Sequence, residues 1–217
     1  MPLGGRAAML AIDADAALTL FVPGVTMGLH MESWPQRHRI TVHDYHRMGE
    51  IGVFPPDARV ELIEGEIIDM APIGNDHQSI VDQLARALFR TVGDRAIVRV
   101  QGSIRLSQWS EPGPDLVLLT PRPDFYRGEF ALGTDTLLVI EVSDTTLRYD
   151  RDIKVPLYAR HGVPEVWVVD VNGNALLVYG DLRDGKYERH VALERPATMP
   201  VTQLPGIDLD VAALFAA

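Results

Sequence analysis

The segment Leu137-Leu138-Val139-Ile140-Glu141-Val142-Ser143 constrains this chain more than any other. Its apolar run suits a strand covered on both faces. An ionised carboxylate at the end of such a strand is costly unless it is paired or bound to a metal. A second carboxylate, Asp115, opens another apolar strand, Asp115-Leu116-Val117-Leu118-Leu119. If the two strands pair antiparallel, the start of one lies beside the end of the other, and Asp115 and Glu141 sit side by side. A short helix carrying Lys154 follows the Glu141 strand. Two carboxylates and a lysine at one sheet end suit a Mg²⁺–phosphate site.

The chain has 217 residues, 47% apolar and 23% charged, which suits one soluble domain with a real core, or a domain plus an extension. It has no cysteine, which excludes disulfides and thiolate metal sites and is compatible with a reducing cytoplasm, the expected location. No apolar run approaches the roughly 20 residues that span a bilayer, so no membrane partner is expected. Residues 7–22 are rich in Ala and Leu. Asp13 and Asp15 interrupt them and only Arg6 supplies an n-region charge, so a signal peptide is rejected. Residues 1–37 are expected to be a poorly ordered N-terminal extension, with Met27 and Met31 as alternative starts, and residues 38–217 the folded domain. The net charge of −10 argues against a protein coated for nucleic-acid binding, yet leaves room for a local basic groove. The run Arg86, Arg90, Arg95, Arg99 and Arg105 reads first as a solvated helix face and strand edge.

Along the domain, Thr41 is expected to cap a short helix, and Pro55-Pro56-Asp57 to form a turn. Glu64-Gly65 is expected to join two short strands, 60–63 and 66–70, as a hairpin. Apolar residues at Ile80, Leu84, Ala87, Leu88 and Val92 predict an amphipathic helix over 75–92, stopped by Gly93. Strands are expected at 97–100 and 103–106. The Asp115 strand, a polar loop (121–133), the Glu141 strand and a helix over 150–160 follow. A strand at 164–170, a turn at Asn172-Gly173, strands at 175–179 and 187–191 and a helix near 211–215 complete the order. The unit 137–170 predicts a right-handed crossover between parallel strands. The fold class is α/β (α+β), a central mixed β-sheet flanked by helices.

In a strand–helix–strand unit, ligands gather where the first strand ends and the helix begins. Glu141 and Lys154 meet at that crevice, and the helix N-terminus favours an anion. The Val142 carbonyl is in range as a further ligand, and hard oxygens suit Mg²⁺ or Mn²⁺ rather than zinc. Pro156 requires that the regular helix start near Val155 or bend there. Each residue also has a plain structural reading. Asp115 follows Gly113-Pro114 and suits a turn, Glu141 suits an arginine pair, and Lys154 suits a solvated pair with Asp150.

These residues resemble the PD-(D/E)-x-K phosphodiesterase superfamily, the fold of many restriction endonucleases. Pro114-Asp115 matches the first half of its motif and Glu141-Val142-Ser143 the second, with serine where lysine is expected. Lys154 resembles the migrated lysine of some superfamily members. The chain is closer to one branch, the putative restriction endonuclease family. It is similar at Glu61-Leu62-Ile63-Glu64-Gly65-Glu66, His77, Pro114-Asp115, Glu141-Val142-Ser143 and Asp150…Lys154…Tyr158. The similarity continues through Gly162-Val163-Pro164-Glu165-Val166-Trp167-Val168-Val169-Asp170 and Leu204-Pro205-Gly206-Ile207.

The resemblance implies a Mg²⁺- or Mn²⁺-dependent endonuclease acting on DNA. Asp115 and Glu141 would hold the metal and Lys154 would stabilise developing negative charge or orient the attacking water. Glu61 would be a further acidic member, and His77 would contact phosphate or assist proton transfer. A homodimer is a further expectation, with sequence recognition assigned to loops such as 108–113 or 121–133.

Other chemistries fit less well. His43 and His46 stand three apart on one helix, but no third metal ligand is evident. There is no nucleophile elbow, P-loop or dinucleotide fingerprint. Two carboxylates alone would also serve a glycosidase, although a lysine between them does not suit one. The serious rival is a nuclease fold that binds nucleic acid or a protein partner without cutting, which the acidic charge and Ser143 favour. Metal binding separates the two.

Overall fold

A computed structural model describes residues 9–12, 18–22, 25–28 and 35–215. The chain divides into two units, Met1–His38 and Arg39–Ala217. The first contains three strands, β1 (Met9–Ile12), β2 (Leu18–Val22) and β3 (Val25–Gly28), paired antiparallel in that order. No periodicity announces them. The poor order expected of residues 1–37 concerns in part residues that lie outside the described ones.

The second unit opens with α1 (Val42–Glu50), where Thr41 Oγ1 accepts from the Asp44 N–H as the expected N-cap. Strands β4 (Val60–Ile63) and β5 (Glu66–Asp69) form the expected hairpin. Its turn places Glu64 at φ 51° and Gly65 at φ 86°, the left-handed pair that a two-residue hairpin needs. A Cβ on Gly65 would lie 2.7 Å from the Arg39 Cβ, so glycine is required there for space as well.

The long helix α2 (Asn75–Val92) buries Ile80, Val81, Leu84, Leu88 and Val92. It is followed by β6 (Ile97–Val100), β7 (Leu116–Leu119) and β8 (Thr136–Ser143). The crossover then runs through α3 (Leu147–Tyr149), a π turn (Asp150–Lys154) and α4 (Val155–Arg160) into β9 (Val166–Asp170). Strands β10 (Ala175–Arg183) and β11 (Lys186–Glu194) complete a six-stranded sheet of order β11-β10-β9-β8-β7-β6. Only β8 and β9 pair in parallel, as the crossover requires, and the sheet is mixed as expected. A small pair, β12 (Thr198–Pro200) with β13 (Asp208–Asp210), precedes a 3₁₀ turn, Ala212–Phe215.

Strand alternation divides the core into two layers. Leu116, Leu118, Leu138, Ile140, Trp167 and Val169 pack with the buried side of α2. Val117, Val139, Val166 and Val168 pack with Val155 and Tyr158 of α4. Glu141 and Asp115 have the parity of the second layer, so both belong to the face that α4 covers. No helix among the described residues is long and apolar enough to cross a membrane.

Two local expectations are corrected. Residues 103–106 do not form a strand. Their backbone bonds go into a loop, from the Ile104 N–H to the Pro112 carbonyl, Leu106 to Ser110 and Arg105 to Ala131, leaving only an isolated bridge between Arg105 and Leu132. The helical part of the crossover begins at Leu147, before the expected 150, while the regular helix α4 starts at Val155 with Pro156 in its first turn, as the proline requires. A π turn precedes the proline, with the Val155 N–H donating to the Asp150 carbonyl. The wider turn accommodates a ring that carries no N–H and would crowd the carbonyl of an ordinary preceding turn.

Candidate active site

Asp115 stands at the entry to β7 and Glu141 near the end of β8. Leu116 pairs with Ile140, so the next step of the antiparallel ladder puts Asp115 opposite Glu141. Asp115 Oδ2 accepts the Val142 N–H at 2.8 Å and faces His77 Nε2 at 3.1 Å. His77 sits in the first turn of α2, and its Nδ1 is buried without a hydrogen-bond partner.

Lys154 reaches the same place from the π turn. Its ammonium, only 1% exposed, lies 2.8 Å from Glu141 Oε1 and 3.2 Å from Glu61 Oε1. The solvated pairing with Asp150 is therefore not adopted. Glu61 arrives from β4, where its Oε1 also accepts the Gly113 N–H at 3.2 Å. Its Oε2 is buried with no partner. Tyr158, one helical turn beyond Lys154, donates its hydroxyl to Glu141 Oε1 at 2.6 Å. Asp150 is buried, and its Oδ2 accepts from Ser143 Oγ at 2.7 Å and Thr146 Oγ1 at 2.6 Å.

All five residues singled out in the sequence (Asp115, Glu141, Lys154, Glu61 and His77) line one cleft of about 60 Å³. Asp150 lines it too, as do Asp144, Thr146 and Arg59. The roles of Asp150 and Tyr158 as direct members of this constellation are what the sequence reading lacked. The signal was there, because Asp150, Lys154 and Tyr158 recur at four-residue intervals.

Burial dominates the electrostatics. It pushes the Glu141 carboxyl up to about 8, against the pull of Lys154 and with reinforcement from Asp150, Asp115 and Glu61. Burial also works against the Lys154 charge, but Glu141, Glu61 and Asp150 together outweigh it and hold the ammonium protonated. Tyr158 is driven well above the ordinary phenol range by burial and then by Glu141, so it remains a donor. Tyr149, whose hydroxyl is buried without a partner, is raised to about 12 by burial and by Glu61.

No three His, Asp or Glu side chains among the described residues gather closely enough to enclose a metal by themselves. A Mg²⁺-type ion does not need that, because it keeps several waters and takes one or two carboxylates. Asp115 and Glu141 supply two hard oxygen donors at one cleft, and the partnerless Glu61 Oε2 is a buried acceptor lacking a cation or a proton donor. The donor set fits Mg²⁺ or Mn²⁺ and does not fit a soft metal. The two histidines of α1 form no metal site. His46 Nε2 lies 2.8 Å from Glu111 Oε1, and His43 is exposed beside Asp44.

A mixed sheet crossed by α4, with carboxylates on adjacent strand ends and a lysine from the crossover helix, defines a restriction-endonuclease-like protein. The chain belongs to the Uma2 family, described as "Putative restriction endonuclease", whose model matches residues 42–212. A solved structure described as a putative nuclease belonging to DUF820, from Anabaena variabilis ATCC 29413, is similar in fold at a TM-score of 0.62 and 18% identity. The alignment covers 81% of this chain and 97% of that one. No curated protein matches the chain.

Proposed function

We propose that the chain is an endodeoxyribonuclease that hydrolyses DNA phosphodiester bonds with the help of Mg²⁺ or Mn²⁺. The observation that carries this reading is the burial of Lys154 Nζ 2.8 Å from Glu141 in the cleft that Asp115 also lines. A bound divalent ion would supply a water of lowered pKa and positive charge at the phosphoryl oxygen. Asp115 and Glu141 would hold it. The Val142 N–H and His77 orient Asp115, and Tyr158 orients Glu141. Glu61 fixes Lys154 from the opposite side, and the ammonium is placed to meet negative charge developing on the phosphate. His77 is placed to contact phosphate or to move a proton. A cytoplasmic location and a homodimer belong to the same reading, on the absence of cysteine and on the family resemblance respectively.

The test is cleavage of plasmid and single-stranded DNA with Mg²⁺ and with Mn²⁺, comparing wild type with Glu141→Ala and Lys154→Ala. Metal-dependent nicking lost in both variants is the expected result. Absence of cleavage by the wild type on every DNA form would overturn it.

A second reading, a nuclease fold that binds without cutting, is favoured by one specific observation. Ser143, at the usual lysine position, is engaged with Asp150, and Lys154 already contacts two carboxylates. Metal titration separates the readings, because hydrolysis requires Mg²⁺ or Mn²⁺ to bind and Asp115→Ala to abolish that binding.

A further inference from the structure

The cleft is short of positive charge for a site that would receive a phosphodiester. Five carboxylates line it (Glu61, Asp115, Glu141, Asp144 and Asp150) against two cationic side chains, Lys154 and Arg59. Lys154 is buried and contacts both Glu61 and Glu141, and His77 faces Asp115. A single divalent ion would still leave the lining net negative. An incoming phosphate therefore needs a cation that is not already committed to a carboxylate.

Arg59 meets that requirement. It is exposed although it lines the cleft, which places it at the mouth. Its backbone carbonyl accepts the Met70 N–H at 2.8 Å, extending the β4–β5 ladder by one rung and anchoring its main chain. Period two puts it on the same face of the strand as Glu61. Its Nη1 donates to the Ala71 carbonyl at 2.6 Å, which orients the guanidinium with a neutral backbone acceptor. Four of its five N–H donors are left for a ligand, and a planar guanidinium matches phosphate oxygens in pairs.

We propose that Arg59 is the residue that binds and positions the phosphodiester backbone of the nucleic acid at the mouth of this cleft. The β4–β5 hairpin then contributes twice, with Glu61 inside holding Lys154 and Arg59 outside holding a phosphate. The inference rests on the nuclease reading for its ligand class, but binding can be measured apart from cleavage.

The experiment is anisotropy titration of a labelled DNA duplex and of its single strand, with Ca²⁺ replacing Mg²⁺, across a range of salt. The proteins are wild type, R59Q and R59K. Glutamine keeps an amide donor for the Ala71 carbonyl and removes only the charge, and thermal melting checks the fold of each variant. R59Q is expected to bind about tenfold more weakly, with the salt slope reduced by about one. R59K is expected to keep the slope and recover part of the affinity. The duplex and single-strand arms show which form of the backbone the arginine meets. Equal affinity and slope for R59Q and wild type would overturn the inference, as would no binding of either DNA by the wild type. Plasmid cleavage is measured in parallel. DNA binding that depends on Arg59 without any cleavage would remove the hydrolytic reading and leave this one, and cleavage with an indifferent R59Q would do the reverse.

Discussion

Ser143 Oγ donates to Asp150 Oδ2 across 2.7 Å, so the residue at the usual lysine position of the motif orients an acid in the next helix. The lysine that lines the cleft lies eleven residues on, at Lys154, and reaches it from the π turn. Ser143→Ala removes one of two hydroxyl donors to Asp150 and leaves Thr146. The expected cost is about 1 kcal/mol of stability, measured by denaturant unfolding. Ser143→Lys is expected to cost more, because the position is fully buried and offers no room for the added chain.

Lys154→Met would leave Glu61 and Glu141 buried without their cation. Breaking such a pair costs about 3–5 kcal/mol, which the melting temperature should register. A wild-type melting temperature in the variant at neutral pH would contradict the buried ion pair.

Glu141 gives a pH dependence whose sign follows from its raised carboxyl. In the unfolded chain it loses its proton near 4.5, and in the folded protein near 8. The folded state therefore holds the extra proton between those values, and its contribution to stability is complete below about 4.5 and is lost as pH rises to 8. Melting curves in EDTA should show Glu141→Gln flattening this slope. Because a metal ligand must be ionised, Mg²⁺ affinity should rise with pH over the same window and level off above it.

Tyr158→Phe removes the 2.6 Å hydroxyl donor to Glu141 and nothing else of its packing. A loss of about 1–2 kcal/mol is expected. Without this donor the Glu141 carboxylate is less well supported, so the pH at which Mg²⁺ affinity levels off should move upward. Titration calorimetry at several pH values checks this.

The sequence by itself determined the frame of the site. Two apolar strands with carboxylates at opposite ends bring those ends together when they pair antiparallel, and the observed register sets Asp115 opposite Glu141. The period of α2 and the hairpin turn at Glu64-Gly65 were equally legible, because local propensity and burial pattern agree there. The short strands β12 and β13, and the loop at 103–106, were not, because three- or four-residue runs carry no period that separates a ladder from a loop. Only the tertiary structure decided which groups face one another across the cleft. Glu61 and Lys154 are 93 residues apart, and their contact depends on how the β4–β5 hairpin packs against the crossover helix. The depth of Lys154 depends on the π turn that precedes Pro156, which the sequence does not announce. Charge follows the same division. The sequence supplies the acids, but burial, a property of the packed whole, is what raises Glu141 to about 8 and commits Lys154 to it.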